Sequence, residues 1–85
     1  MEKEIGKITH YFDHISVAVL LLTKGGLKTS DKIRIKGSHT DFTQQVLSMQ
    51  IDKKDIHEAK KGDDIGIKVA NEVKEGDIVY KVTEK

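Results

Sequence analysis

The sequence predicts an all-β fold, with six short antiparallel strands closing into a barrel. Three observations carry this expectation. Apolar residues recur mostly at every second position rather than at a period of 3.6, and β-branched side chains dominate the apolar set. The one helical candidate, Asp55 to Lys61, is too short to be more than a single turn or an irregular connection. Finally, a Lys-rich turn ending in Asp precedes three of the strands, and the chain has no Pro to protect an edge. Closure into a barrel is then the natural way to remove exposed edges.

Taken in order, Ile5, Ile8 and Tyr11-Phe12 mark the first strand, and Asp13-His14 a turn or bulge. The second runs from Ile15 to Leu22 and is apolar on both faces near its end, where Lys24-Gly25-Gly26 breaks it. Ile33 and Ile35 alternate with Lys32, Arg34 and Lys36 in a half-buried third strand. After the polar loop Gly37 to Asp41, Phe42 to Ile51 is expected to form one longer strand. In it Leu47, Met49 and Ile51 face the core, and Gln44, Ser48 and Gln50 face away. The fifth strand presents Ile65, Ile67 and Val69, and the sixth Ile78, Tyr80 and Val82. The turns Lys28-Thr29-Ser30-Asp31, Lys60-Lys61-Gly62-Asp63 and Lys74-Glu75-Gly76-Asp77 share a chemistry. Gly at the third position supplies positive φ cheaply, and the Asp side chain accepts backbone N–H groups. Ser30 replaces Gly in the first copy, so that turn is expected to differ in geometry.

The 85 residues read as one domain, residues 1–85, with 36% hydrophobic and 34% charged residues. That ratio suits a globular chain and not a disordered one. There is no cysteine, so neither disulfides nor a thiolate metal site hold it together, and the only aromatics are Tyr11, Phe12, Phe42 and Tyr80. The net charge of +1 argues against a protein that coats nucleic acid generally, while leaving room for a local basic stripe. Met1-Glu2-Lys3-Glu4 lacks the apolar stretch of a secretory signal, and the longest apolar run is far too short to span a bilayer. A cytoplasmic location without membrane association is the expectation.

Four segments, in order, carry a resemblance to a known family. They are Gly6-Lys7-Ile8 with Gly26-Leu27-Lys28 leading to Asp31-Lys32-Ile33-Arg34-Ile35; Val46-Leu47-Ser48-Met49-Gln50; Ala59 to Ile67; and Val73 to Val79. Together, from about Glu4 to Val82, they resemble domain two of translational GTPases. The chain also resembles the barrel appended to collagenase-like peptidases. The resemblance implies a six-stranded closed antiparallel barrel of the translation-factor domain-two (EF-Tu domain 2-like) type. In the factors that barrel packs on a GTPase domain and contacts tRNA or ribosomal RNA. No GTPase segment lies within these 85 residues.

Chemistry-bearing clusters are few. Gly25-Gly26-Leu27-Lys28-Thr29 has neither the spacing nor the following helix of a phosphate-binding loop, so no nucleotide is expected. His10, Asp13 and His14 fall short of the three or four convergent ligands zinc requires, and no metal or other cofactor is expected. Ser16 and Ser48 lack a nucleophile-elbow context, so the chain is read as a binding module and not an enzyme. Lys32, Arg34 and Lys36 share one strand face; Lys68 and Lys81 are expected to extend this stripe, with Arg34 able to engage a phosphate bidentately. The competing reading is a solvated lysine-rich face. Leu20 and Leu22 lie opposite Val19 and Leu21, which the alternation assigns to the core, so an outward apolar patch is expected to contact a partner. A bulge that rotates the strand, or cover by the loop from Asp52 to Lys61, would remove that patch. Two functions therefore compete: a module touching tRNA or rRNA through the basic stripe, and a protein-interaction module without nucleic acid. A protein carrying a GTPase or enzymatic domain is a further expected partner.

Overall fold

The computed structural model describes residues 1–83. Among these described residues ten strands form: β1 (Glu2–Phe12), β2 (Val17–Leu22), β3 (Leu27–Lys28), β4 (Lys32–Lys36), β5 (Asp41–Gln45), β6 (Met49–Ile51), β7 (Lys54–Ile56), β8 (Glu58–Ala59), β9 (Asp64–Lys68) and β10 (Ile78–Val82). Eight of them make one antiparallel sheet in the order β5-β4-β10-β1-β2-β9-β6-β7, and β3 pairs with β8. Five of the six expected segments each carry one strand, the fourth is split into β5 and β6, and the supposed helical stretch forms β7 and β8 instead. Buried residues one strand in from each edge of the ladder, Ile33 and Ile35 of β4 and Met49 of β6, belong to one aliphatic cluster. The sheet therefore curls over its own inner face. Strand pairing does not close it: β5 and β7 are its two edges.

Three turns organise this sheet, and they follow one pattern. In each, the Asp side chain accepts the N–H of the residue three positions earlier: Asp31 from Lys28, Asp63 from Lys60 and Asp77 from Lys74, all at 2.9 Å. Each Asp N–H returns a bond to that residue's carbonyl, at 3.0–3.1 Å. The third residue has positive φ in every copy: 80° at Ser30, 98° at Gly62 and 93° at Gly76. Bond and dihedral are those of a type II turn. Ser30 thus adopts the same geometry as the glycines, contrary to expectation, because its surroundings dictate it. The N–H of Ser30, Gly62 and Gly76 donates to the carbonyl of Val46, Leu22 and Ile8 respectively, at 2.6–2.7 Å. The N–H of that same residue donates to the turn's Asp carbonyl at 2.8–2.9 Å. Val46, Leu22 and Ile8 are all fully buried. Each turn is therefore riveted to a core residue of a distant strand.

The first rivet explains why Phe42 to Ile51 is not one strand. With both backbone groups of Val46 committed to Ser30 and Asp31, the chain leaves the ladder at residues 46–48 and re-enters as β6. Val46 becomes core, and Leu47, expected inside, is 80% exposed.

Ladder register settles which faces are buried, since directly opposed residues point the same way. Leu20 opposes Ile8 and Ile65, and Ala18 opposes Ile67, so Ala18, Leu20 and Leu22 form the inner face of β2. In β10, Val79 opposes buried Ile35, which sends Ile78, Tyr80 and Val82 to the half-buried outer face. Both assignments invert the sequence expectation. The β6–β7 hairpin uses Asp52 and Lys53, both at positive φ (52° and 66°), in the two-residue turn that matches strand twist. At the far end of β1, Met1 and Thr83 exchange backbone bonds of 2.7 and 2.8 Å.

Adding a Cβ at Gly62 meets nothing within 4 Å, so Gly62→Ser reports backbone strain alone. It should cost about 1 kcal/mol in urea unfolding, while Ser30→Gly should gain up to about 1 kcal/mol. Asp77→Ala removes a buried carboxylate and strips the acceptor from the part-buried Lys74 N–H, and should cost about 1–3 kcal/mol. Equal effects of Gly62→Ser and Ser30→Gly in the same direction would contradict the shared-strain account.

Candidate functional site

The outer face of β1, β2, β9 and β6 carries a trough that the core does not explain. Outward-facing Val17 and Val19 of β2 oppose Lys68 and Gly66 of β9. Gly66 has no side chain, and a Cβ there would touch Val17 at 3.5 Å, so the glycine floors a depression between β2 and Gln50 of β6. Phe12 and Ile15, 44% and 59% exposed, form its apolar lip in the β1–β2 hairpin. The depression measures about 410 Å³ and is flanked by Asp52, Lys53 and Asp64. It continues past Ile15, Val17 and Gly66 to Ser48 and Lys68. There it meets a larger groove of about 630 Å³ beside Leu47. Exposed Phe12, Ile15 and Leu47 thus lie along one connected surface, bordered by Asp52, Lys53, Asp64 and Lys68, the kind of patch that marks an interaction site. The His10 ring packs against Phe12 at 4.7 Å between centroids and faces Glu75 at 3.6 Å.

Leu20 and Leu22 are not partner contacts, because both are wholly buried among the core aliphatics. Leu20→Ala should therefore cost about 2–5 kcal/mol of stability, as a core cavity does.

The five basic residues singled out in the sequence do not converge. Lys32, Arg34 and Lys36 share the outer face of β4, as the spacing requires. Lys68 lies on β9, separated from β4 along the ladder by β10, β1 and β2 and, across the open side, by β5, whose Gln44 reaches the Lys68 carbonyl. Lys81 opposes core-facing Ile33, so it lies on the inner side at the sheet's rim, where its ammonium reaches Asp31 at 3.3 Å. Arg34 spends its bidentate geometry on Asp41, at 2.7 and 2.8 Å, and its remaining amine on Glu2 at 3.0 Å. A phosphate at Arg34 would have to displace two carboxylates. His14 faces Asp13 at 3.7 Å while His10 turns to Glu75, so the two imidazoles have separate partners. Among the described residues no three His, Asp or Glu side chains gather as a metal cluster. Likewise, no helix among them is long and apolar enough to cross a membrane.

The Arg34 cluster has an electrostatic signature. Hydrogen bonds from Arg34 are the main reason that the Asp41 carboxyl sits below the usual carboxylate range, with Coulombic attraction adding to them. Asp41, followed by Glu2, raises the guanidinium in turn. A depressed folded-state value means that this contribution to stability is present above the unfolded carboxylate value of about 3.9. It is lost as pH falls through the lower folded value. NMR titration should place the Asp41 midpoint below about 3.9, and Arg34→Met should return it to that range. An Asp41 midpoint indifferent to Arg34→Met would refute the assignment.

No protein-family model matches the chain. At the level of fold, its class is set by two crystal structures of the C-terminal domain of a Geobacillus thermoleovorans protein named "putative U32 peptidase". One, the selenomethionine variant, superposes with a TM-score of 0.84, covering 91% of this chain and 96% of that domain. The other gives 0.88 over 95% and 93%. Sequence identity is 14% in both, so the likeness establishes a common fold. A closer likeness in sequence is to the "Uncharacterized protease MJ0090" of Methanocaldococcus jannaschii, 42% identical over 82 residues. That match takes in 95% of this chain but 20% of the relative, so the chain spans about a fifth of the protein it matches. These findings accord with the resemblance to the barrel appended to collagenase-like peptidases.

Proposed function

We propose that this chain is a non-catalytic accessory module that docks on the body of a protease-like protein. The observation that carries this reading is the 42% identity running along nearly the whole chain yet confined to a fifth of a protein named a protease. A segment that recurs as a small part of a much longer polypeptide has some four-fifths of that polypeptide as its natural neighbour. The fold match to a peptidase's C-terminal domain supports the same relation. The trough lined by Phe12, Ile15, Val17 and Val19 is the docking surface in this reading, because its exposed apolar side chains gain most from being covered. The curled sheet is read as a barrel of the translation-factor domain-two type, its open side bridged by the Gln44 side chain, which bonds to Lys68 and Ala70.

The test mixes the 85-residue chain with the M. jannaschii relative lacking its matching segment, and follows association by sedimentation and calorimetry. The relative's own segment serves as the reference. A one-to-one complex is expected, weakened at least tenfold, about 1.4 kcal/mol, by Phe12→Ser with Ile15→Asp. Both side chains are exposed, so the double variant should fold. No complex with this chain under conditions where the reference segment binds, or a complex insensitive to the double variant, overturns the docking surface. Cleavage of unstructured peptides by the purified chain alone would overturn the non-catalytic reading.

A further inference from the structure

The open side of the sheet has an unusual closure. β6 pairs with β9 only at Met49–Ile67 and Gln50–Gly66, because the chain departs at residues 46–48. Past Ile67, the Val69 N–H donates to the Ser16 carbonyl on the β2 side. Backbone groups alternate sides along a strand, so Lys68 and Ala70 face the other way, toward β5. There a side chain meets them. Gln44 Nε2 donates to the Lys68 carbonyl at 2.8 Å, and Gln44 Oε1 accepts the Ala70 N–H at 2.7 Å.

Those two bonds have the pattern of a parallel β ladder. In such a ladder one residue's N–H donates to the carbonyl of i−1, and its own carbonyl accepts from the N–H of i+1. Here i is Val69, and the Gln44 amide stands where a strand residue's two backbone groups would be. The amide holds a place shaped for extended backbone. Beside it lies the 630 Å³ groove, walled by Gln45, Leu47, Ser48 and Val69. Leu47, 80% exposed, offers an apolar contact for a side chain alternating off an added strand. The one charged side chain lining the groove is Lys68, whose ammonium complements a carboxylate.

We propose that the seam between β5 and the Lys68–Ala70 edge is a strand-acceptor site for an extended, carboxylate-bearing peptide segment, with the Gln44 amide as its displaceable plug. Strand addition of this kind draws affinity from main-chain bonds and selectivity from alternate side chains. The peptide is a stretch of the polypeptide that the protease-like partner handles; only that origin rests on the accessory-module reading. The geometry of the seam stands apart from it.

The experiment titrates the isotopically labelled chain with a capped peptide, Thr-Val-Thr-Val-Asp. The expected result is a joint shift of the Ala70 amide and the Gln44 side-chain NH2 signals. N-methylation of the peptide's central amide should weaken binding about fivefold to tenfold, since it deletes one main-chain donor. Replacing its Asp by Asn should weaken it severalfold at low salt and less at high salt. Gln44→Ala removes the competing plug and should tighten binding severalfold; should it fail to fold, the native titration and the N-methylated peptide decide alone. Phe12→Ser with Ile15→Asp, which breaks the docking complex, alters no residue lining the groove and should leave the peptide-induced shifts of Ala70 and Gln44 unchanged, so failure here is distinguishable from failure there. Ala70 and Gln44 signals unmoved at several millimolar peptide overturn the proposal, as does equal binding of the N-methylated peptide. The same signals moving with protein concentration alone would assign the seam to a second copy of the chain, and also overturn it.

Discussion

Three carboxylates hold this sheet in its curled form. A strand edge or turn normally satisfies its own backbone, but the Asp31, Asp63 and Asp77 turns each reach across to a buried residue of another strand. The carboxylate fixes the turn, the positive φ at its third position aims an N–H outward, and the core residue returns a bond to the Asp carbonyl. Val46, Leu22 and Ile8 are thereby satisfied at the places where ordinary strand pairing would leave them unmatched. Buried backbone groups need such partners, and here they come from turns instead of neighbouring strands. The arrangement also consumes strand: committing Val46 costs the ladder its continuity between β5 and β6, and the seam at Lys68 and Ala70 follows from that loss.

What could be read from the sequence follows from how unambiguous each local pattern is. Clean alternation in Asp64 to Lys68 and Lys32 to Lys36 gave both the strand and its buried face. The turn recurrence was also legible, because Lys-x-Gly-Asp names both the dihedral and the acceptor. Where both alternate sets are apolar, period two cannot choose between them. Val17 to Leu22 is of that kind, whereas in Ile78 to Val82 the pattern names the wrong set because Lys81 shares its parity with buried Val79; register against Ile65 and Ile35 fixes both. Leu47 was hidden for another reason: nothing local announces that Val46 is claimed by a turn fifteen residues earlier in the chain. Of the candidate site, the sequence offered Phe12 only as a mark of the first strand and Gly66 only as part of the segment Ala59 to Ile67, with nothing to expose the one or join it to the other.

Charge and apolarity divide the surface. On the β4 face, guanidinium and carboxylates neutralise one another in a small network, and Lys81 is absorbed by a turn carboxylate. On the β2–β9 face, a glycine keeps the surface concave and the aliphatic side chains uncovered. A face whose guanidinium is already paired from within has its one bidentate donor withheld from a polyanion. A concave apolar face retains the driving force of desolvation for whatever covers it.

The pairing of Met1 with Thr83 has a consequence for how such a unit can be carried. Its first and last described residues lie side by side just beyond the paired ends of adjacent strands β1 and β10, joined by reciprocal backbone bonds. A polypeptide entering at one and leaving at the other departs from nearly the point where it arrived. The unit can therefore interrupt a surface loop of a host without prying the loop's ends apart, as readily as it can hang from a terminus. The same adjacency suits circular permutation: a short linker could join the ends, and the exposed Asp52-Lys53 hairpin tip could supply new ones without unmaking any of the three riveted turns.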